Sequence, residues 1–186
     1  MGNHAVALRL AGTDRPNPLF QWSLMERARS MDEFKDAMRN LQISMFTTIA
    51  ASHDGDIMAS FNGFVPRRSS GDFAFWNKPV PGNSSLYLWT ELHTWDELPR
   101  VDNPESGFVQ NCNEPPWAHS LPLYQRGANP NEYPPYMSRP PSMGWRPQAS
   151  VRLLQSKDNL TFDEFSALKH STLVEFGNHA VVRALT

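Results

Sequence analysis

The sequence contains a single cysteine, Cys112, in 186 residues. One cysteine excludes an internal disulfide and a cysteine-rich zinc site. No apolar run approaches the roughly 20 residues that a membrane-spanning helix needs, so no membrane span is expected. Positive charge is not in excess either, because 17 lysines and arginines stand against 19 acidic residues. A basic surface that would bind nucleic acid is therefore not predicted.

The common catalytic signatures are missing as well. There is no G-x-S-x-G turn, no glycine-rich phosphate loop and no C-x-x-C pair. The six histidines are scattered, without the helical spacing and adjacent glutamate of a metalloprotease. Asp54 and Asp56 flank Gly55, where short acidic side chains serve a turn. The residues by themselves predict no cofactor, no metal site and no obvious nucleophile, and Cys112 is interpreted as a small buried residue.

A hydrophobic content of 40%, with 11% aromatic residues, is enough for a buried core. Residues 1–186 are interpreted as one incomplete domain. The chain has sixteen prolines, and many of them lie between Pro115 and Pro147. This passage is expected to be extended and rich in loops.

The first half of the chain predicts two helices and a hairpin. Residues 5–12 resemble a short strand, and a helix over 24–29 precedes a second one from about Met31 to Leu41. Ser30 and Glu33 match the S-x-x-E capping box that begins a helix. Residues 45–52 and 57–64 are rich in strand formers and flank Asp54-Gly55, which predicts a hairpin.

The second half predicts a long ordered loop over 65–81, two further strands and two helices. The strands cover 85–92 and 107–113, with a charged turn between them. One helix covers 147–156, and the other begins at a second capping box, Thr161 with Glu164. Together the pattern favours an α+β fold, with helices covering a mainly antiparallel sheet.

Asn113 is the most informative polar residue. Its side-chain amide at the end of a predicted strand would present N–H donors rigidly, as an oxyanion hole requires. The other interpretation is that Asn113 satisfies the backbone of a turn.

Four stretches, taken together, resemble the β-chain of the penicillin acylase family of N-terminal-nucleophile amide hydrolases. They are SHDGDIMASFNGFVPRR, PVPG, LPRVDNPESGFVQNCNEPPW and GWRPQASVRLLQ. Their order and spacing match the family, although no single stretch is specific. The likeness runs from about Ala5 to the end of the chain. Relatives include cephalosporin acylases and acyl-homoserine-lactone acylases.

The resemblance implies an αββα sandwich fold and a serine nucleophile at the first position of the mature β-chain. No such serine stands at the start of this sequence. We therefore expect an interior segment of the β-chain that lacks the nucleophile, the α-chain and the rest of the β-chain, and that is inactive alone. The substrate would be a small acyl-amide, and the full protein would be periplasmic or secreted.

The resemblance also assigns two site residues. Asn113 matches the family's oxyanion-hole asparagine, and Arg146 matches its active-site arginine, which would orient the amine and asparagine network. Arg152 is expected to be structural. The sequence departs from the family at Ser52 and at Glu114, whose carboxylate is expected to point away from the oxyanion donor. The structural calcium of some members is not mapped onto this sequence.

Two alternatives stay open. The chain could be a non-catalytic binding module that uses the aromatic loop around Phe73, Phe75 and Trp76 with the proline-rich segment as its docking surface. It could also be a pseudoenzyme that keeps the fold without the nucleophile.

Overall fold

The structure is a computed structural model and describes residues 5–13 and 17–178. It shows helices around a small antiparallel sheet, as the sequence predicts. Helices and strands follow one another along the chain in this order: α1 Pro18–Arg27, α2 Met31–Met38, β1 Thr48–Ala51, β2 Ile57–Ser60, α3 Phe73–Trp76, β3 Arg100–Asp102, α4 Trp145–Leu154 and α5 Phe162–Lys169.

Short 3-10 helices interrupt the connecting loops, at Ser85–Tyr87, Trp95–Glu97, Pro116–Ala118, Pro130–Glu132 and Glu175–Asn178. No helix in the described ranges is both long and apolar enough to cross a membrane.

The predicted hairpin is present. β1 and β2 pair antiparallel with Ala51 opposite Ile57, and Gly55 at the turn has φ +97°. Glycine adopts this conformation without the steric cost that other residues meet. The Asp-Gly signal was therefore read correctly, although the strands are shorter than the predicted runs.

Asn103 joins the hairpin to the third strand. Its amide oxygen accepts from Ile57 N at 2.8 Å, and its amide nitrogen donates to Asp56 at 2.8 Å. β3 pairs with β2 through Ala59 opposite Val101. The sequence had been interpreted here as a charged turn, so this strand was missed.

Helix starts follow the predicted capping chemistry. Ser30 Oγ accepts from Glu33 N at 3.1 Å, while the Glu33 carboxylate accepts from the N–H of Arg29 at 2.7 Å, one residue before the cap. At α5 both halves of the capping box form between Thr161 and Glu164. The predicted helix over 24–29 belongs to α1, which begins earlier, at Pro18.

Three predicted strands are absent, of which the one over 107–113 is described with the candidate site. Residues 5–13 form no strand, and Val6, Leu8 and Leu10 in them are largely exposed. Residues 85–92 begin with a 3-10 helix, where Ser84 Oγ accepts from Leu86 N. Apart from that helix, these residues make one isolated bridge, between Leu92 and Pro66. In both segments an alternating pattern has no neighbouring strand with which to form a ladder among the described residues.

The core lies between α2, β2 and the loops that follow the sheet. It consists of side chains from both halves of the chain: Met31, Met38, Met58, Trp95, Leu98, Trp117 and Met137. Trp95 is 1% exposed, and its indole N–H donates to Ser60 Oγ at 3.0 Å. Trp117 and Met137 place the proline-rich passage against the core, and this passage leads to α4.

Candidate active site

Asn113 lies in an irregular loop and not at the end of a strand. The predicted strand over 107–113 is wrong, because no strand forms there. Gly107 and Asn113 have φ values of +71° and +72°, which no strand accommodates. Asparagine is one of the few residues other than glycine that adopt this left-handed conformation readily.

In this loop, hydrogen bonds from side chains take the place of the backbone ladder of a sheet. The Glu114 carboxylate accepts from Cys112 N at 2.7 Å and from Gln110 Nε2 at 2.6 Å. Glu114 is only 7% exposed, and burial raises the pKa of its carboxyl group, partly offset by hydrogen bonds and by Arg146. The carboxylate thus faces into the loop.

His119 contacts the first part of the loop through both its backbone and its ring. Its carbonyl oxygen accepts from Gln110 N at 2.9 Å, and its Nε2 lies 3.3 Å from Asn111 Nδ2. The ring is 1% exposed, and burial lowers the pKa of His119 to about 4. His119 is therefore neutral at physiological pH and serves as a buried polar residue next to Asn111.

Asn113 is held at three atoms. Its N–H donates to Asn111 Oδ1 at 3.1 Å, its carbonyl oxygen accepts from Arg139, and its Oδ1 accepts from Arg146 Nη2 at 3.1 Å. Asn113, Arg139 and Arg146 are all exposed. Thus the two residues assigned by the resemblance, Asn113 and Arg146, are in contact although 33 positions separate them.

Arg146 lies in the first turn of α4, which begins at Trp145, two residues before the predicted start at Pro147. A positive charge is disfavoured at a helix N-terminus, so a nearby acceptor such as Asn113 Oδ1 compensates part of that cost. Arg152 is about one and two-thirds turns further along α4 and pairs with the buried carboxylate of Glu175. That ion pair joins α4 to the last 3-10 helix.

Cys112 does not have the properties of a nucleophile. Burial, and then the charge of Glu114, raise the pKa of its thiol, whereas a reactive cysteine needs a lowered pKa. The residues that the structure describes contain no group of three or more His, Cys, Asp or Glu side chains placed to hold a metal ion.

Part of this arrangement had no signal in the sequence. Gln110 and His119 are buried polar residues, and Arg139 stands in the proline-rich passage without a motif around it. Gln110 and His119 come together only because residues 114–120 fold back against residues 110–113. Arg139 reaches Asn113 from a different part of the chain. A polar residue directly before a run of prolines, such as Glu114, could have suggested a side-chain-stabilised turn.

The fold is similar to that of a solved thermostable penicillin G acylase from Alcaligenes faecalis, with a TM-score of 0.57 and 21% sequence identity. The match covers 81% of this chain and 24% of that one. The chain therefore spans about a quarter of the length of this relative. The similarity confirms the α+β class and assigns the chain to the N-terminal-nucleophile hydrolase fold.

The family model of penicillin amidase matches residues 2–184. The chain belongs to the penicillin amidase family, whose members are amide hydrolases. The resemblance found in the four sequence stretches is confirmed.

Proposed function

We propose that the chain is a segment of an acylase that hydrolyses the linear amide between an acyl chain and an amine, such as a β-lactam nucleus or a homoserine lactone. In such a reaction a nucleophile attacks the carbonyl carbon, and the carbonyl oxygen becomes negative. Hydrogen-bond donors fixed around that oxygen stabilise the transition state. Asn113 is proposed as one donor, through its side-chain amide.

The contact between Arg146 and Asn113 is the observation that carries this proposal. A guanidinium only donates hydrogen bonds, so the atom of Asn113 that faces Arg146 at 3.1 Å is the amide oxygen. This contact orients the amide with its oxygen toward the guanidinium and its nitrogen away from it. Nδ2 makes no hydrogen bond to the described residues and has both N–H groups available for a substrate oxygen.

The surroundings of Asn113 support the same role. Bonds from its backbone to Asn111 and Arg139 restrict the residue without using its amide nitrogen. A donor that is already oriented loses little conformational freedom when the negative charge develops. The guanidinium on Oδ1 also polarises the amide, which strengthens the N–H groups as donors.

The remaining groups would come from other parts of a longer protein. We propose that an N-terminal serine supplies the nucleophilic oxygen, and that its own α-amine takes the hydroxyl proton and returns it to the leaving amine. A backbone N–H would be the second oxyanion donor. An α-chain and further β-chain segments would complete the acyl-amide site, in an enzyme exported to the periplasm or secreted.

The test is to express the complete gene and to measure hydrolysis of a chromogenic acyl-anilide. Asn113→Gly suits this purpose because glycine tolerates φ +72°. We expect kcat to fall about 100- to 1000-fold with little change in KM, as is typical when one oxyanion donor is removed. Arg146→Met should lower kcat by a smaller factor, because the donor remains but loses its orientation.

Asn131→Ala is the matched control, because Asn131 is exposed and its side chain makes no hydrogen bond to the described residues. It should leave kcat unchanged. Full activity of Asn113→Gly would show that Asn113 is not an oxyanion donor. A complete protein that hydrolyses no acyl-amide in a broad panel would instead favour the pseudoenzyme or the binding module.

A further inference from the structure

Arg68 has an unusual environment, away from the residues proposed for catalysis. Its guanidinium carbon lies 4.0 Å from the ring centroid of Trp76, 5.6 Å from that of Trp89 and 6.0 Å from that of Tyr136. Its Nε and Nη1 atoms are buried and have no hydrogen-bond partner. The aromatic rings satisfy the face of the guanidinium, but its in-plane N–H groups are left without acceptors.

A buried charge without a partner is costly. Desolvation lowers the pKa of Arg68 from its usual value, yet a guanidinium remains protonated at physiological pH. Its orphaned N–H groups therefore favour an anion in the plane of the guanidinium, where charge-assisted hydrogen bonds are strongest.

The acidic residues nearby are already engaged. Glu97 pairs with the neighbouring Arg67 at 2.6 Å and accepts from Thr94 N at 2.8 Å. Asp72 accepts from Phe75 N at 2.8 Å and caps α3. Among the described residues, no carboxylate forms an ion pair with Arg68, so an anion that binds it would come from elsewhere.

A cavity of about 200 Å³ adjoins Arg68. Most of the residues in its walls are apolar or aromatic, Asn77 is polar, and no acidic residue is among those described there. Besides Arg68, the lining includes Phe64, Phe73, Trp76, Tyr136 and Met137. One positive charge within apolar walls selects a ligand with one negative charge and a flat apolar body, whereas a strongly hydrated anion such as phosphate would lose its water without compensation.

We propose that this cavity binds a small aromatic monocarboxylate. The carboxylate would accept hydrogen bonds from the Arg68 guanidinium, and the ring of the ligand would pack against Phe73 and Trp76. The site uses the aromatic loop of residues 65–81, which the proposed acylase chemistry leaves unused. Binding at this site does not depend on amide hydrolysis, so it can be tested on the present chain.

The test is calorimetric titration of the 186-residue chain with benzoate and, separately, with benzamide at the same ionic strength. Benzamide has nearly the same shape but no charge. We expect saturable binding of benzoate, and at least about 10-fold weaker binding of benzamide, because a hydrogen bond to a charged group contributes roughly that factor. This comparison needs no substitution, so no folding defect of a variant affects it.

Two substitutions assign the binding to the cavity. Arg68→Met keeps the apolar stem and should weaken benzoate binding at least about 10-fold. Arg67→Met removes a neighbouring positive charge that is exposed and already paired, and it should leave the affinity nearly unchanged. Circular dichroism confirms that both variants are folded.

Three results would overturn the proposal. They are no saturable binding of benzoate, equal binding of benzoate and benzamide, and an equal loss of affinity in the Arg67 and Arg68 variants. The first would make Arg68 a structural residue stacked on Trp76, the second would reduce the site to an apolar pocket, and the third would indicate non-specific attraction by positive charge.

Discussion

The hairpin over 48–60 and the loop over 107–120 are similar in length, but different bonds hold them. In the hairpin the backbone forms a ladder from Thr48 opposite Ser60 to Ala51 opposite Ile57. In the loop, the side chains of Gln110, Asn111 and Glu114 bind backbone groups or one another.

This difference decides what each region can tolerate. A backbone ladder forms with almost any side chain, so it depends on turn geometry. A loop held by side chains depends on the identity and the charge state of each one. Substitutions and pH changes should therefore affect the stability of the chain differently in the two regions. The free energy of unfolding in urea measures the effect.

The largest effect expected is the pH dependence from His119 in the loop. Its pKa is about 4 in the folded chain, compared with about 6.5 when exposed. Between these values the unfolded chain takes up a proton that the folded chain does not. The free energy of unfolding should therefore fall as the pH drops through this window, by roughly 3 kcal/mol at most.

His119→Gln should remove this slope, whereas His53→Gln should keep it, because the His53 side chain is fully exposed. Burial raises the pKa of Glu114, which gives a slope of the opposite sign. Glu114 is present in both variants, so its contribution cancels in the comparison. Equal slopes in the two variants would show that His119 is not buried in its neutral form.

A smaller effect is expected from the loss of one acidic side chain in each region. Glu114→Ala leaves Cys112 N without its acceptor and removes one of the two acceptors of Gln110 Nε2, at a cost of about 1–3 kcal/mol. Asp54→Ala changes an exposed side chain at the hairpin turn and should alter the stability by less than about 0.5 kcal/mol. A larger loss from Asp54→Ala would mean that side chains hold the hairpin too.

The smallest effect concerns the backbone of the hairpin turn. Gly55 has φ +97° and open space where a Cβ would be, so Gly55→Ala introduces only conformational strain, about 1 kcal/mol. Gly82 also has open space, but its φ lies outside the left-handed range. Gly82→Ala should therefore be neutral or slightly stabilising, and an equal loss in both variants would contradict the assignment of strain to the turn.

The contrast between the regions also explains which predictions succeeded. The hairpin turn and the two capping boxes depend on neighbouring residues, and the sequence showed all three. Strands were predicted over 5–12, 85–92 and 107–113 from apolar patterns, but a strand needs a partner that the local pattern does not specify. β3 was missed for the same reason, since its charged residues resemble a turn until Asn103 and β2 are adjacent.

The candidate site was only partly accessible to sequence. Family motifs directed attention to Asn113 and Arg146, whose catalytic roles stay a proposal. The resemblance did not indicate the left-handed conformation of Asn113, nor the burial of Glu114 and His119 in the same loop. These features depend on how residues 107–120 fold back on themselves, which no motif describes.

The sequence by itself determined the turn at Gly55, the starts of α2 and α5, the loop character of the proline-rich passage and, through its motifs, the family. These are local properties, because a cap or a turn is satisfied within a few residues. Only the tertiary structure decided that Arg146 meets Asn113 and that Arg68 lies among Trp76, Trp89 and Tyr136. Such contacts join distant parts of the chain, and burial, which only the folded chain provides, makes their charges and hydrogen bonds consequential.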